Sequence, residues 1–283
     1  GSEMCIRDSH TADWHLGQTF YEYDRREEHF HFLEWLKQQI KQHEIDVLLI
    51  AGDVFDSPNP SAESQRVYYR FLREVTSENP SLQIVIIAGN HDSAARLEAP
   101  NPLLEDMNII VRGTVRRNAE GDIDLQHFIV PLYTEGKVTA YCLAVPYLRQ
   151  GDYPSAENYS KGVQQLYEQL FNKVKEKGIP VVAMGHLQAT GSEISEDDRS
   201  ERTVIGGLEC VSPDAFNEAI TYTALGHLHR SQRVSHRENV RYSGTPMPMS
   251  FAEKNNASGV VMITIDTAVS YTHLRAHETS LHL

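Results

Sequence analysis

The chain has 283 residues, 40% hydrophobic and 23% charged, a composition that excludes collagen-like and disordered classes and fits a folded globular domain. Lys and Arg number 26 against 39 Asp and Glu, a formal net charge of -13, which opposes sequence-independent adhesion to a polyanion. The three cysteines, Cys5, Cys142 and Cys210, are widely spaced with no Cys-x-x-Cys pair, which argues against a disulfide framework or a thiolate zinc site.

In chain order, the first residues read Ile6-Arg7-Asp8-Ser9 where a buried strand leading to Asp13 should be apolar, so residues 1–9 are expected to be a flank foreign to the domain. From His10 onward, strand-like runs alternate with helical patterns, which predicts one α/β domain over residues 10–267. Asp24 and Glu27 form a capping-box signature for a helix reaching residue 43, with Phe32, Leu33, Leu36 and Ile40 on one face. A second helix is predicted over residues 61–78. Its core stripe is Val67, Phe71 and Val75, and Tyr68, Tyr69 and Leu72 extend the apolar surface beyond one face. Between residues 112 and 145, short alternating segments with a Gly121-Asp122 turn predict hairpins. A third helix over residues 160–177 stops at Gly178 and Pro180. The acidic stretch 190–202 predicts a mobile loop. After GVVMITID, residues 268–283 have no turn, cap or apolar period that ties them to a core, and are expected to be a second foreign flank. No run approaches the ~20 apolar residues of a membrane span, and no basic-then-apolar leader is present, so a cytoplasmic protein is expected.

Four times an apolar strand ends in a small or apolar residue, then Gly, then a side chain able to bind metal: VLLIAGD to Asp53, IVIIAGN to Asn90, VVAMGH to His186 and YTALGH to His227. Buried strands project such residues into the crevice at the carboxyl edge of a sheet, and Gly permits close backbone approach there. Asp13-Trp14-His15 and His227-Leu228-His229 each place two more candidates at i and i+2, on one side of an extended segment. Seven ligands are therefore expected at one site: Asp13, His15, Asp53, Asn90, His186, His227 and His229, with Asp53 as the bridging carboxylate. Mixed oxygen and imidazole donors without sulfur suit manganese, iron or zinc. Two such ions could activate water and clamp a phosphate for in-line displacement. His91, beside Asn90, is assigned to protonating the leaving oxygen. Trp14 is expected in the core. His10, His29, His31, His43, His127 and His236 lack this context and are expected on the surface or on helix faces.

The order Asp-x-His, Gly-Asp, Gly-Asn-His-Asp, Gly-His, Gly-His-x-His resembles the calcineurin-like metallophosphoesterases. The strings HTADWHLGQ, AGDVFD, AGNHDS, ALGHLHR and RYSGTPMPMSF are similar to the SbcD-type nucleases within that superfamily. The resemblance implies a four-layer α-β-β-α sandwich with two mixed sheets. It implies one ion on Asp13, His15, Asp53 and His229 and another on Asp53, Asn90, His186 and His227. It further implies two divalent ions, Mn2+, a 3′-to-5′ exonuclease on DNA duplexes and an endonuclease on single strands and hairpins. An SbcC-type coiled-coil ATPase would be the partner. Dimerisation through helices near the active-site edge would account for the extra apolar face at Tyr68, Tyr69 and Leu72. In the family, a capping region and a partner-binding region are expected beyond the end of this sequence. A phosphodiesterase or phosphatase acting on a non-DNA substrate is the rival with the same site, and a non-catalytic scaffold is the rival of another class.

Overall fold

The structure, a computed structural model, describes residues 5–194, 210–267 and 273–280. Its strands and helices in chain order begin with β1 (Cys5–Thr11), the short β2 (Thr19–Phe20) and β3 (Tyr23–Asp24), α1 (Arg26–Gln42), β4 (Val47–Ala51) and α2 (Ala62–Glu78). There follow β5 (Gln83–Ile87), α3 (Ala94–Glu98), α4 (Asn101–Leu104), β6 (Ile109–Arg112), β7 (Ile129–Thr134), β8 (Lys137–Ala144) and α5 (Tyr159–Val174). The chain continues through β9 (Val181–His186), β10 (Tyr222–Gly226), β11 (Gln232–Val234), β12 (Arg237–Tyr242), β13 (Gly259–Asp266) and β14 (His273–Ser280).

Two six-stranded sheets result, ordered β14-β13-β1-β4-β5-β6 and β11-β12-β10-β9-β8-β7. Strands β1, β4, β5 and β6 run parallel in the first sheet, and β8, β9, β10 and β12 in the second. Antiparallel strands complete both sheets. Residue parity builds the layers. On β4 and β5, Leu48, Ile50, Ile84 and Ile86 pack under α1 and α2, while Val47, Leu49, Ala51, Val85 and Ile87 face Val182, Met184, Ala224 and their neighbours from the second sheet. Helix α5 covers the second sheet with Val163, Leu166, Tyr167 and Leu170. This α-β-β-α order is the fold expected from the sequence, and it brings the carboxyl ends of β1, β4, β5, β9 and β10 to one edge.

Local signals succeed where they are short-range. Ser61 accepts from the Ser64 amide at 3.1 Å and caps α2, an arrangement that stabilises a helix by about 1 kcal/mol. The capping box at α1 does not form: Arg25 occupies the cap position and Asp24 accepts from the Arg26 amide at 2.9 Å. On α2 the core stripe is Tyr68, Phe71, Leu72 and Val75, with Val67 and Tyr69 partly buried at its side. Tyr68 and Leu72 are fully enclosed, so they provide no surface for a second copy, contrary to expectation. The hairpin between residues 112 and 145 is β7–β8, which turns at Glu135-Gly136. Gly121-Asp122 closes only a small turn with one bridge, Arg117 to Ile123. Most of the acidic loop expected over residues 190–202 lies outside the described residues.

The two suspect flanks meet different environments. Strand β14 pairs along the edge of β13. Strand β1 lies centrally, between β13 and β4. Its Asp8 shares parity with Ile6 and His10, is fully buried, and has no hydrogen-bond partner on either carboxylate oxygen. Burial, reinforced by Asp46, pushes its pKa well up. Of the histidines expected on the surface or on helix faces, His29 lies on the buried face of α1, and His10 and the His127 side chain are interior. His10 sits between the sheets, His29 holds the Trp14 carbonyl at 3.1 Å, and the His127 side chain packs on Glu98 at 3.2 Å. Each has a satisfied hydrogen bond, which is how a buried imidazole avoids a desolvation penalty. His31, His43 and His236 are exposed as expected.

Candidate metal centre

The loops leaving five parallel strands bring all seven expected residues to one place. Asp13 and His15 follow β1, Asp53 follows β4, Asn90 follows β5, His186 ends β9, and His227 and His229 follow β10. Asp13, His15, Asp53, His186 and His229 are buried, whereas Asn90, His91 and His227 are partly exposed and form the open side. Ligand-capable atoms of Asp13, His15 and His229 lie within 4.8 Å of one another. The same holds for Asp13, Asp53 and His186, and for His15, Asp53 and His91. Asn90 Oδ1 lies 2.9 Å from His186 Nε2 and 3.2 Å from His227 Nδ1, which brings His227 into the same cluster.

Backbone geometry shows what this convergence requires. Asp13, His15, Asp53 and His227 have φ of 54°, 47°, 50° and 103°, a region that costs non-glycine residues on the order of 1–3 kcal/mol each. Such strain persists where surrounding structure enforces it. Asp53 is held by its Oδ1 accepting from the His91 amide at 2.9 Å, and Asp13 by both oxygens accepting from the His227 amide at 3.1 and 3.2 Å. A side chain at Gly89 would overlap the Asp53 carboxylate, which explains the glycine in that strand-end pattern.

Ring orientation is fixed from behind. His15 Nδ1 donates to Asp56 Oδ1 at 3.1 Å, His186 Nδ1 to the Ala51 carbonyl at 2.8 Å, and His229 Nδ1 to the buried Glu253 Oε1 at 2.8 Å. In the neutral rings of His15 and His229 this bond leaves Nε2 as the lone-pair nitrogen, the tautomer a metal takes, while His186 Nε2 faces the Asn90 and Asp53 oxygens and would lose its proton to an ion. Asp92 ties two ligand loops together by accepting from the Gly89, Val54 and Phe55 amides at 2.8, 3.2 and 2.9 Å. Burial, then the Asp53 charge, pushes Asp92 up to about 6. Sequence reasoning missed Asp56, Asp92 and Glu253 as supports. Asp56 and Asp92 stand in the quoted strings AGDVFD and AGNHDS, close behind ligands, whereas nothing in sequence ties Glu253 to His229, 24 residues away.

The electrostatics and the orphaned atoms test whether divalent ions fit. Buried His15 Nε2 and Asp53 Oδ2 have no hydrogen-bond partner, although Asp53 Oδ2 approaches His186 Nε2 at 3.2 Å and His15 Nε2 at 3.7 Å. Burial alone would raise the Asp53 carboxyl, yet His186, His15 and His91 hold it well below the ordinary range. Asp13 is pushed up to about 7 by burial, against the pull of His186. Burial disfavours charge on His186, but Asp53 and Asp13 outweigh it and raise its pKa to about 9. Two enclosed carboxylates thus draw positive charge into a cluster of imidazole nitrogens, which is where divalent cations fit. Trp14 has no part in this. It is fully buried, edge-on to Phe32 and Phe71, as expected of a core residue.

Arginines that could line a phosphate path have local protein partners. Arg96 bonds Asn59, Arg112 the His127 carbonyl, Arg117 the Gly121 and Gly151 carbonyls, and Arg230 Glu193. Arg116 lies 3.6 Å from Glu98, and Arg149 stacks 5.5 Å over Tyr147.

The chain is 39% identical to the SbcD subunit of the SbcCD nuclease of Rhodobacter capsulatus over 281 residues, covering 95% of this chain and 69% of the relative. It is 32% identical to the same subunit from Escherichia coli over 273 residues, covering 92% of this chain and 65% of the relative. A solved dimetal phosphatase from Danio rerio overlays with a TM-score of 0.49 at 12% identity, over 96% of each chain. The family model described as calcineurin-like phosphoesterase matches residues 9–231, and the chain belongs to that family.

Proposed function

We propose that this chain is a metal-dependent DNA nuclease subunit acting with an SbcC-type coiled-coil ATPase in DNA repair and recombination, in the cytoplasm. Its proposed activities are 3′-to-5′ exonuclease on duplexes and endonuclease on single strands and hairpins. The observation that supports it most is the convergence of seven oxygen and imidazole donors, with His15 Nε2 and Asp53 Oδ2 bare at the centre, in a chain 39% identical to a nuclease subunit. Asp13, His15, Asp53 and His229 would hold one ion, and Asp53, Asn90, His186 and His227 the other, both manganese. When bound, such a pair supplies Lewis acidity and activates water. The protein's own contribution is positional. Asp56, Ala51 and Glu253 orient the imidazoles, Asp92 clamps two ligand loops, and the partly exposed His91 is placed to deliver a proton to the leaving oxygen. His91 Nδ1 is anchored 3.0 Å from the Asp56 carbonyl, and Nε2 is the nitrogen assigned that role. Association with a second copy belongs to the same reading, through surface other than the enclosed Tyr68 and Leu72.

One observation favours the rival substrate class: the formal charge of -13 disfavours a polyanion away from the metal site. Manganese-dependent degradation of a labelled hairpin duplex decides between them. Hydrolysis of small phosphodiesters, with DNA left intact in the presence of the ATPase partner and ATP, would refute the nuclease reading.

We also propose that residues 1–9 and 268–283 are foreign to the domain. The buried, unpartnered Asp8 supports this for the first segment. Peptide mapping of natively expressed protein tests it, and native peptides covering both segments would overturn it.

A further inference from the structure

Beside the metal centre, a hairpin that follows His15 and a segment that leads into Glu253, the carboxylate behind His229, meet in a cluster of rings. The first is the β2–β3 hairpin, which begins four residues after His15. Its two turn residues, Tyr21 and Glu22, have φ of 47° and 70°. The second contains Phe251, two residues before Glu253, the carboxylate that orients His229. Phe20 lies 5.0 Å from Tyr21 and 4.9 Å from Phe251, ring centre to ring centre, and Tyr21 lies 5.4 Å from Phe251 with the planes tilted by 35°. Tyr21 is 72% exposed and Phe251 64%.

Hydrogen bonds tie this cluster together from beneath. Arg25, only 5% exposed, donates to the Pro248 carbonyl at 2.7 Å and to Gln18 Oε1 at 3.0 Å. Its guanidinium lies 5.6 Å from the centre of the Phe20 ring. Gln18 in turn reaches the Met249 carbonyl at 3.4 Å. Both ring-bearing segments are therefore locked to each other, with Tyr21 and Phe251 turned outward.

We propose that Tyr21 and Phe251 form a stacking platform for an unpaired nucleobase of the strand whose phosphate occupies the metal centre. This rests on the nuclease reading and extends it to how the strand is gripped. Stacking suits this chain because it needs no positive charge: every base has a π-face, and aromatic rings hold single strands without sequence preference. A chain with net charge -13 gains little from a long phosphate-tracking groove, so an uncharged grip next to the ions fits its chemistry. The left-handed backbone at Tyr21 is a further sign. Gly or Asn is the usual occupant of such a turn, and here a tyrosine ring is displayed at that position instead.

The test uses the manganese-loaded chain and a phosphorothioate-protected single strand with 2-aminopurine placed at successive positions. Fluorescence quenching is expected at one or two adjacent positions. It should be lost in Tyr21→Ala and Phe251→Ala and restored in Tyr21→Phe and Phe251→Trp. In the same alanine variants, KM for an unprotected single strand should rise about tenfold, and the ratio of single-strand cleavage to bis(p-nitrophenyl) phosphate hydrolysis should fall. Unchanged quenching and unchanged KM in both alanine variants would overturn the platform. So would a loss of self-association in those variants without any change in quenching, which would show that the rings pack against a second copy. Because quenching is read without turnover, it decides the platform separately from the nuclease reading, which fails if the wild-type chain cuts no DNA.

Discussion

Glu253→Gln isolates one half of the metal centre. Glu253 is 1% exposed. Its Oε1 accepts from His229 Nδ1 at 2.8 Å and its Oε2 from the Met249 amide at 2.7 Å. Burial would raise its carboxyl, but the bond from His229 outweighs that and holds it below the ordinary range. An amide offers one oxygen where the carboxylate offers two. If that oxygen keeps the Met249 amide, the NH2 group faces His229 Nδ1 and favours the tautomer that places the proton on Nε2, the nitrogen intended for the ion. Loss of such an orienting carboxylate typically weakens a metal site 10- to 100-fold, or about 1.4–2.7 kcal/mol. That range agrees with the ~1–3 kcal/mol of a disrupted buried hydrogen bond. The Glu253 carboxylate bonds His229 and the Met249 amide, so its loss acts first on the ion that His229 would hold. Calorimetric manganese titration should therefore show one affinity lowered by that factor and the other within about twofold of wild type. Equal weakening of both, or of neither, would refute the orienting role.

Other substitutions separate the remaining roles. His91→Ala should retain both ions and lose roughly 10²–10⁴ in turnover, whereas Asp53→Ala should lose metal as well. Equal metal content in the two purified variants would contradict the assignment. Asp8→Val replaces an unpartnered buried carboxyl with an apolar strand former and should stabilise the fold by about 1–3 kcal/mol, read as a higher Tm. The pH dependence follows from the raised pKa of Asp8. The folded state keeps a proton that the unfolded chain releases near pH 4, so stability falls as pH rises above that value. The gain from Asp8→Val should accordingly be larger at pH 8 than at pH 4, and a gain independent of pH would contradict it. Ser61→Ala should cost α2 about 1 kcal/mol, seen as a lower denaturant midpoint.

The cluster was legible in the sequence because its residues follow a repeated physical pattern, an apolar strand, a glycine and a polar end, that topology converts into convergence. Each of the four such strands leads to the shared edge. The supports were less legible, because their partners are set by three-dimensional contact. Glu253 meets His229 only after β11 and β12 have folded back, and Arg25 meets Pro248 across more than 200 residues. His10 shows the same limit from the other side. Its ring is neutral between the sheets, with a pKa lowered by burial to about 3, bonded to Tyr222 and the Leu225 carbonyl at 2.7 and 3.0 Å. A polar residue three positions before a ligand read as surface because its partners lie 212 and 215 residues away. The apolar side of α2 was misread for a related reason. Periodicity gives the width of a buried stripe, while the neighbours that cover Tyr68 and Leu72, Phe55 among them, come from other segments.

An anomalous-scattering map at the manganese edge, from crystals of the manganese-loaded chain, tests the central claim most directly. Two peaks are predicted, sharing the Asp53 carboxylate, one enclosed by Asp13, His15 and His229 and the other by Asn90, His186 and His227. A single peak, or peaks that leave the Asp53 carboxylate uncoordinated, would contradict a dinuclear centre built from these seven residues.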